Sequence, residues 1–298
     1  MSLIESALEK LRRGREEGAP GMGAPRALPP AAPLSAPKVP ALVVPSAPTY
    51  VRNRISIDAP ALRRAGYLPE EGLERRFADH YRQIKRPLIE KALAGGPEMR
   101  LILVTSALPG DGKTFTSLNL AQSMARERDI SVLLVDSDAP RARITEVLGL
   151  RGERGLLDAL SDESVDVESL IVETDVRGLE ILPAGKFLEG TTELFASTRM
   201  DQLAASLAAR HPRRVVVFDS APLLVSSEAR AMARVPGQVV LVVRIDVTPR
   251  QAALEAASYV DKKKLAGMII NHTPFKRGGG YYGYAGYGEG AAESSEDA

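Results

Sequence analysis

Short apolar runs rich in Val, Leu and Ile recur between residues 101 and 271, and polar, helix-forming stretches separate them. Runs of this length without strict polar alternation are typical of strands that are covered on both faces. Alternating strands and helices predict an α/β fold, with a mostly parallel sheet and helices on both of its faces. The predicted strands are 101–105, 131–135, 179–182, 214–218, 238–243 and 267–271, and the predicted helices lie near 114–127, 155–160, 192–209, 223–233 and 249–262.

The pattern changes on either side of this alternating core. Residues 70–93 read as one more helix, in which Pro87 predicts a kink or a break. Nine prolines between residues 18 and 48 predict an extended linker that cannot build a core. The amphipathic start of the chain fits equally a frayed, solvated helix and a docking helix for a partner. The predicted organisation is a short amphipathic helix at 1–17, a Pro-rich linker at 18–49, a folded domain at 50–275 and a flexible Gly/Tyr-rich tail at 276–298.

Composition narrows the possible classes of protein. The chain has 298 residues, of which 44% are hydrophobic, and a net charge of +1, so no overall field points to nucleic acid. It contains no cysteine, which excludes disulfides and thiolate metal sites and suits a reducing cytoplasm. No apolar run reaches the ~20 residues that span a bilayer. We therefore expect a soluble, cytoplasmic protein in which the scattered His80, His211 and His272 are structural or surface residues.

The first strand leads into a loop with the character of a phosphate-binding site. The strand residues 101–105 are followed by Pro109, Gly110, Asp111 and Gly112, then by Lys113 and Thr114 at the start of a predicted helix. Glycines allow backbone N–H groups to turn inward, and the helix directs its positive end toward an anion. Lys113 can reach phosphates and the Thr114 hydroxyl can bind Mg²⁺. The general motif has glycine where this chain has Ala107, and the alternative is an ordinary strand-to-helix turn.

Two later strands end in aspartate. Asp136 and Asp138 follow the second strand, and Asp219 follows the fourth. Because parallel strands place their carboxyl ends at one edge of a sheet, we expect these carboxylates to lie beside the loop. Mg²⁺ requires only one or two carboxylates, which leaves another to orient a nucleophile. The alternative is that each aspartate caps the helix that follows it.

These motifs together resemble those of the bacterial tyrosine autokinases, a phosphate-loop NTPase-like family that regulates exopolysaccharide synthesis. The resemblance rests on the loop TSALPGDGKT (105–114), on Asp136-Ser137-Asp138, on Asp219-Ser220-Ala221-Pro222 and on the terminal tyrosine cluster. More narrowly, the stretches MSLIESALEKL, IKRPL and SAPLLVSSEAR look like the subtype encoded with exosortase-linked loci. Partitioning and septum-site ATPases share the fold, but they carry a lysine where this chain has Leu108.

The resemblance implies that residues 50–275 form a kinase domain that uses ATP and Mg²⁺. Thr114, Asp138 and Asp219 are then the metal-binding residues, and Lys113, Asp136, Asp138 and Asp219 are the catalytic ones, with Asp136 accepting the tyrosine proton. The family often has Arg where Pro140 stands here, which leaves the role of the adjacent Arg141 open. The implied nucleotide-binding residues are Pro109, Gly110, Asp111, Gly112, Lys113, Thr114, Phe115 and, for adenine, Asn271.

The resemblance also implies a substrate and partners. The phosphoacceptors are the tail residues Tyr281, Tyr282, Tyr284 and Tyr287, which otherwise read as a low-complexity segment for self-association. The expected partner is an inner-membrane polysaccharide chain-length regulator, which would recruit the chain to the inner membrane. We also expect a homo-oligomer. The alternative function is a nucleotide-dependent scaffold, or a partitioning-type ATPase switch, with little or no phosphotransfer.

Overall fold

The computed structural model describes residue 50 and residues 52–273. The predicted N-terminal helix, the linker and the tail with its four tyrosines lie outside the described residues. The strands are β1 (Arg54–Ile55), β2 (Leu101–Ser106), β3 (Ser131–Ser137), β4 (Val172–Thr174), β5 (Leu179–Leu182), β6 (Arg214–Ser220), β7 (Gln238–Arg244) and β8 (Leu265–Asn271). The α-helices are α1 (Ala59–Arg64), α2 (Glu74–Ala94), α3 (Lys113–Ala125), α4 (Arg143–Val147), α5 (Leu156–Ser161), α6 (Thr191–Ala196), α7 (Thr198–Arg210), α8 (Ser227–Met232) and α9 (Arg250–Ser258), with short 3₁₀ helices at Pro97–Arg100 and Val167–Leu170.

The eight strands form one sheet in the order β1-β4-β5-β3-β6-β2-β7-β8. Every neighbouring pair is parallel except β4 and β5. The strand β2 lies in the middle, between β6 and β7, and its carboxyl end opens into the glycine-containing loop. This arrangement confirms the predicted α/β fold with a mostly parallel sheet.

Helices cover both faces of the sheet. The strand β2 shows this directly, because Leu101 and Leu103 belong to one buried apolar cluster and Ile102 and Val104 belong to the other. Side chains alternate between the two faces of a strand, so a strand that is buried on both faces has no polar alternation. The apolar runs in the sequence therefore follow from the layered fold.

The structure corrects several boundaries. The prediction at Pro87 was a kink or a break, and the break is wrong, because α2 continues through this residue. Pro87 is exposed, while the nearby Lys85 and Leu88 are buried. The predicted helix 192–209 is divided at Ser197, whose hydroxyl caps α7 by accepting from the Met200 N–H at 3.3 Å. The helix predicted at 223–233 begins only at Ser227, since Ser226 caps it in the same way.

None of the helices in the described part of the chain combines the length and the apolar character that a membrane span requires.

Candidate active site

The loop between β2 and α3 has the backbone shape that its glycines predict. Gly110 and Gly112 have φ values of 89° and 95°, in the left-handed region that favours glycine. Gly112 also directly precedes α3, and a Cβ added to it would lie 1.9 Å from the Asn271 Nδ2 atom. The 13-residue α3 starts at Lys113. The unpaired N–H groups of its first turn and the positive end of its dipole are therefore directed toward the loop.

A buried carboxylate holds the loop in shape. Asp111 is 2% exposed, and its Oδ2 accepts a hydrogen bond from the Leu108 N–H at 3.0 Å. Its Oδ1 accepts one from the hydroxyl of Thr248, in the turn after β7, at 2.6 Å. Sequence reasoning missed Thr248, because 137 positions separate it from Asp111 and no local motif connects the two residues.

Lys113 and Asp138 form an ion pair. The Lys113 Nζ atom lies 2.8 Å from the Asp138 Oδ2 atom, and both side chains are buried. Asp138 is the second residue of the Asp-Ser-Asp motif and directly follows β3. The ammonium is therefore held at the carboxyl edge of the sheet, next to the loop.

Asp219, in β6, is fully buried with one oxygen incompletely satisfied. The Ser117 hydroxyl donates to its Oδ1 at 2.9 Å, while within the described residues its Oδ2 has no hydrogen-bond partner of normal geometry. Burial raises the pKa of Asp219 to about 6, although the Lys113 ammonium and the hydroxyls of Thr114 and Ser117 act in the opposite direction. Asp219 is thus a buried carboxylate whose charge is poorly compensated by the protein.

Asp136 lies beside Asp219, because the two residues face each other in the register of β3 and β6. Both the N–H and the hydroxyl of Thr145 donate to its Oδ2 at 2.8 Å, whereas its Oδ1 accepts only a long 3.3 Å bond from the Asp138 N–H. Burial, followed by the nearby Asp219 carboxylate, raises the pKa of Asp136 to about 7 even though the Thr145 bonds act in the opposite direction. Sequence reasoning missed Thr145, which lies in α4.

The structure therefore brings the predicted catalytic residues Lys113, Asp136, Asp138 and Asp219 together at the carboxyl edge of β2, β3 and β6. Within residues 52–273, no group of three or more His, Cys, Asp or Glu side chains could enclose a metal ion by itself. Mg²⁺ does not need such a group, because it usually keeps several waters and combines one or two carboxylates with substrate phosphates. The free Asp219 Oδ2 and the neighbouring Thr114 hydroxyl are hard oxygen donors that fit this requirement.

A cleft of about 920 Å³ opens beside the loop. Residues 110 and 112–116 line part of it, and the segment from α1 to the middle of α2 lines another part. In that segment Tyr67 and Phe77 present aromatic rings, and the Phe77 ring meets the Phe115 ring edge to face at 5.8 Å. The cleft thus combines a phosphate-binding end with an aromatic surface.

Asn271, Arg141 and Arg143 also line this cleft. The Nδ2 atom of Asn271 donates to the Asp111 carbonyl at 3.0 Å, so one of its two hydrogens remains for another acceptor. Arg143 is paired with Glu146 at 2.9 Å. Arg141 is exposed, and no salt bridge to it is seen among the described residues.

Comparisons with known proteins agree with this geometry. Residues 99–264 match the AAA domain family. The chain is 30% identical to the tyrosine-protein kinase YwqD of Bacillus subtilis over 190 residues, which are 62% of this chain and 78% of that one. It is also 30% identical over 216 residues to the succinoglycan biosynthesis transport protein ExoP of Rhizobium meliloti. That match covers 70% of this chain but only 27% of ExoP, so the chain spans about a quarter of that relative.

A solved structure gives the same result. The kinase domain of VpsO is 28% identical, with a TM-score of 0.53, and the match covers 66% of this chain and 99% of that domain. The AAA domain match spans more than half of the 298 residues, and it includes the loop and the three aspartates of the site. The chain is therefore a member of the bacterial tyrosine-kinase family of phosphate-loop proteins.

Proposed function

We propose that this chain is an ATP-dependent protein-tyrosine kinase that phosphorylates the tyrosine cluster at its own C-terminus. The observation that carries the proposal is the set of charges at the carboxyl edge of the sheet. One ammonium, Lys113, is buried there with three carboxylates, and burial raises the pKa of two of these carboxylates. Such a site is short of positive charge, which the divalent cation of a metal–triphosphate complex would supply.

The loop and Lys113 bind the phosphates in this proposal. The backbone N–H groups between Pro109 and Thr114 face the anion, and the α3 dipole adds to their attraction. The Lys113 ammonium, now paired with Asp138, contacts the transferred phosphate, where negative charge is spread in the transition state. When bound, Mg²⁺ neutralises charge on the phosphates, and Thr114, Asp219 and Asp138 are the residues that would hold it.

Asp136 is the proposed acceptor for the tyrosine proton. A raised pKa of about 7 places this carboxyl near the operating pH, where general-base catalysis is most efficient. Thr145 fixes its Oδ2, so the weakly bonded Oδ1 is the atom left to accept the proton. Positioning and charge stabilisation still dominate the rate, because phosphoryl transfer has a loose transition state.

Asn271 and the aromatic surface of the cleft are the proposed contacts for the nucleobase. The free Nδ2 hydrogen of Asn271 can donate to a ring nitrogen, and Tyr67 and Phe77 offer rings for packing. Phe115 supports this surface through its contact with Phe77.

The tail reacts in trans between copies of the chain in this proposal. Tyr281 lies ten positions after Asn271, a span of at most ~33–36 Å. Each phosphate adds about −1.5 to −2 charge, so phosphorylation of all four tyrosines adds roughly −6 to −8. Repulsion from the acidic site then releases the tail and loosens a homo-oligomer.

The proposed role is control of exopolysaccharide synthesis or export beside a membrane-bound chain-length regulator. The similarity to ExoP, a protein named for succinoglycan transport, supports this setting. The regulator would bring the chain to the inner membrane.

The proposal is tested by incubating the full-length chain with labelled ATP and Mg²⁺ and mapping the label by mass spectrometry. We expect label on Tyr281, Tyr282, Tyr284 or Tyr287, and none in Lys113→Ala or in a variant with all four changed to Phe. Binding of ATP without any transfer would overturn the kinase proposal and favour the nucleotide-dependent scaffold.

A further inference from the structure

The turn that follows β7 is strained and is tied to the neighbouring strand. Asp246 adopts φ +58°, a left-handed conformation that is uncommon for residues other than glycine. The Thr248 N–H donates to the Arg244 carbonyl at 3.0 Å, and the Ile245 N–H donates to the Asn271 carbonyl of β8 at 3.1 Å. Strain of this kind persists only where the surroundings fix the conformation, and it concentrates at functional sites.

The strained turn presents one hydroxyl to the phosphate loop. The Thr248 Oγ1 atom accepts from the Arg244 N–H at 3.1 Å and donates to Asp111 Oδ1 at 2.6 Å. Its single proton is thereby committed to Asp111, because the lone pair that faces Arg244 is already occupied. The hydroxyl therefore has one orientation, in which it donates to the Asp111 carboxylate of the phosphate loop.

Asp111 is an unusual residue for a loop that binds anions. A buried carboxylate within such a loop repels phosphate unless hydrogen bonds fix its position and compensate its charge. Here the Leu108 N–H satisfies Oδ2 and Thr248 satisfies Oδ1. The Asn271 amide holds the carbonyl of the same residue at 3.0 Å. The loop is thus connected to the ends of both β7 and β8 through Asp111.

We propose that Thr248 is a positioning residue for nucleotide binding, acting through Asp111 on the N–H groups of the phosphate loop. This inference rests on the proposed function of the site. Thr248 lies outside the loop and the acidic motifs, and no motif noted in the sequence contains it. Without its hydroxyl, the Asp111 carboxylate loses a charge-assisted bond and can turn toward the bound phosphates. The loop N–H groups then lose their alignment with the anion.

The substitution Thr248→Val tests this inference because it removes the hydroxyl and keeps the shape of the side chain. We expect the affinities for Mg²⁺–ATP and for inorganic tripolyphosphate each to fall roughly 10-fold, since a lost hydrogen bond to a charged group has that scale. Thr248→Ser keeps the hydroxyl and should bind both ligands within about 2-fold of the unmodified chain. The matched control is Thr174→Val, which removes a buried hydroxyl that donates to the Leu179 carbonyl at 2.9 Å, in the β4–β5 turn.

Kinetics separate positioning from a general loss of structure. Misaligned loop N–H groups weaken the ground state and the transition state alike, so KM for ATP should rise in Thr248→Val with kcat nearly unchanged. Partial unfolding would instead lower kcat at constant KM. The tripolyphosphate probe shows whether the phosphate end is affected, because it carries no base or ribose.

Equal affinities for both ligands in Thr248→Val and in the unmodified chain would overturn the inference. So would a Thr248→Ser variant as weak as Thr248→Val, or an unchanged KM with a reduced kcat. Failure of the proposed function would look different, because the unmodified chain itself would then bind no Mg²⁺–ATP or transfer no phosphate.

Discussion

Two clusters of buried charge lie at opposite ends of β6, and they differ in how completely they are neutralised. At the start of the strand, Arg214 and Arg52 meet Glu168 and Glu180; Arg214 lies 2.5 Å from Glu168 and 3.1 Å from Glu180. Arg52 contacts both glutamates as well, so the two positive and two negative charges cancel. We call this group the balanced cluster.

At the other end of β6, the edge cluster contains Lys113 with Asp136, Asp138 and Asp219. Its net charge is −2 when all four groups are ionised, and Asp219 Oδ2 lacks a hydrogen-bond partner within the described residues. Burial raises the pKa of Asp136 and of Asp219, because it is unfavourable to hold their ionised carboxylates at this edge without water. The same strand thus carries one cluster whose charges cancel within the protein and one that, in the proposed function, an external cation would complete.

The largest effect is expected on the free energy of unfolding when a residue of the balanced cluster is changed. Glu168→Gln removes one of the two carboxylates that pair with the buried Arg214, so Glu180 alone must compensate both Arg214 and Arg52. Breaking a buried pair in this way costs about 3–5 kcal/mol. The free energy of unfolding, measured in urea, should fall by that amount. A loss below about 1 kcal/mol would show that the two clusters are not energetically distinct.

The second effect is the opposite response in the edge cluster. Asp219→Asn removes an excess negative charge, so the metal-free protein should keep its stability at pH 8 or gain about 1 kcal/mol. Phosphoryl transfer should nevertheless fall about 100-fold or more, because the variant lacks a proposed metal ligand. The two measurements are urea unfolding and the initial rate of tail labelling. If Asp219→Asn lost stability and kept its rate, the edge cluster would be a structural cluster and not the functional one.

A third effect is expected in the pH dependence of stability. The pKa values of Asp136 and Asp219 are raised to about 7 and about 6, so between about pH 4 and pH 7 the folded protein holds protons that the unfolded chain has released. These groups therefore make the metal-free protein less stable by several kcal/mol as pH rises through that window, since each unit of pKa difference corresponds to about 1.4 kcal/mol. The difference in unfolding free energy between Asp219→Asn and the unmodified chain should widen from pH 4 to pH 7. A difference independent of pH would exclude this explanation.

The sequence predicted every strand except the two short ones at one margin of the sheet, β1 and β4. The six apolar runs correspond to β2, β3, β5, β6, β7 and β8. For the interior strands this follows because strands that are buried on both faces must be apolar throughout, whereas β8 is an apolar edge strand with Met268 and Ile270 exposed. The two-residue β1 and the three-residue β4 have no such pattern, since they depend on backbone pairing at the edge of the sheet. The division of one predicted helix at Ser197 came from a local cap inside an otherwise helical stretch.

In the site, residues that belong to a local sequence motif were predictable, and residues that act through tertiary contacts were not. Lys113, Asp136, Asp138 and Asp219 were predictable because each lies at a strand end or in a loop with its own motif. Their supporting residues were not, because Thr145 and Thr248 act through contacts that only the folded chain creates. The tyrosine tail and the partner remain predictions from the sequence and the resemblance.

The most direct test of the central claim is the number of protons released when Mg²⁺–ADP binds, measured by calorimetry in buffers of different ionisation enthalpy. If an external cation completes the edge cluster, binding lowers the pKa of Asp219, and protons should be released near pH 6 but hardly at all at pH 8.5. Asp219→Asn should release fewer protons near pH 6. Binding without proton release at pH 6, or equal release by the unmodified chain and Asp219→Asn, would contradict the account.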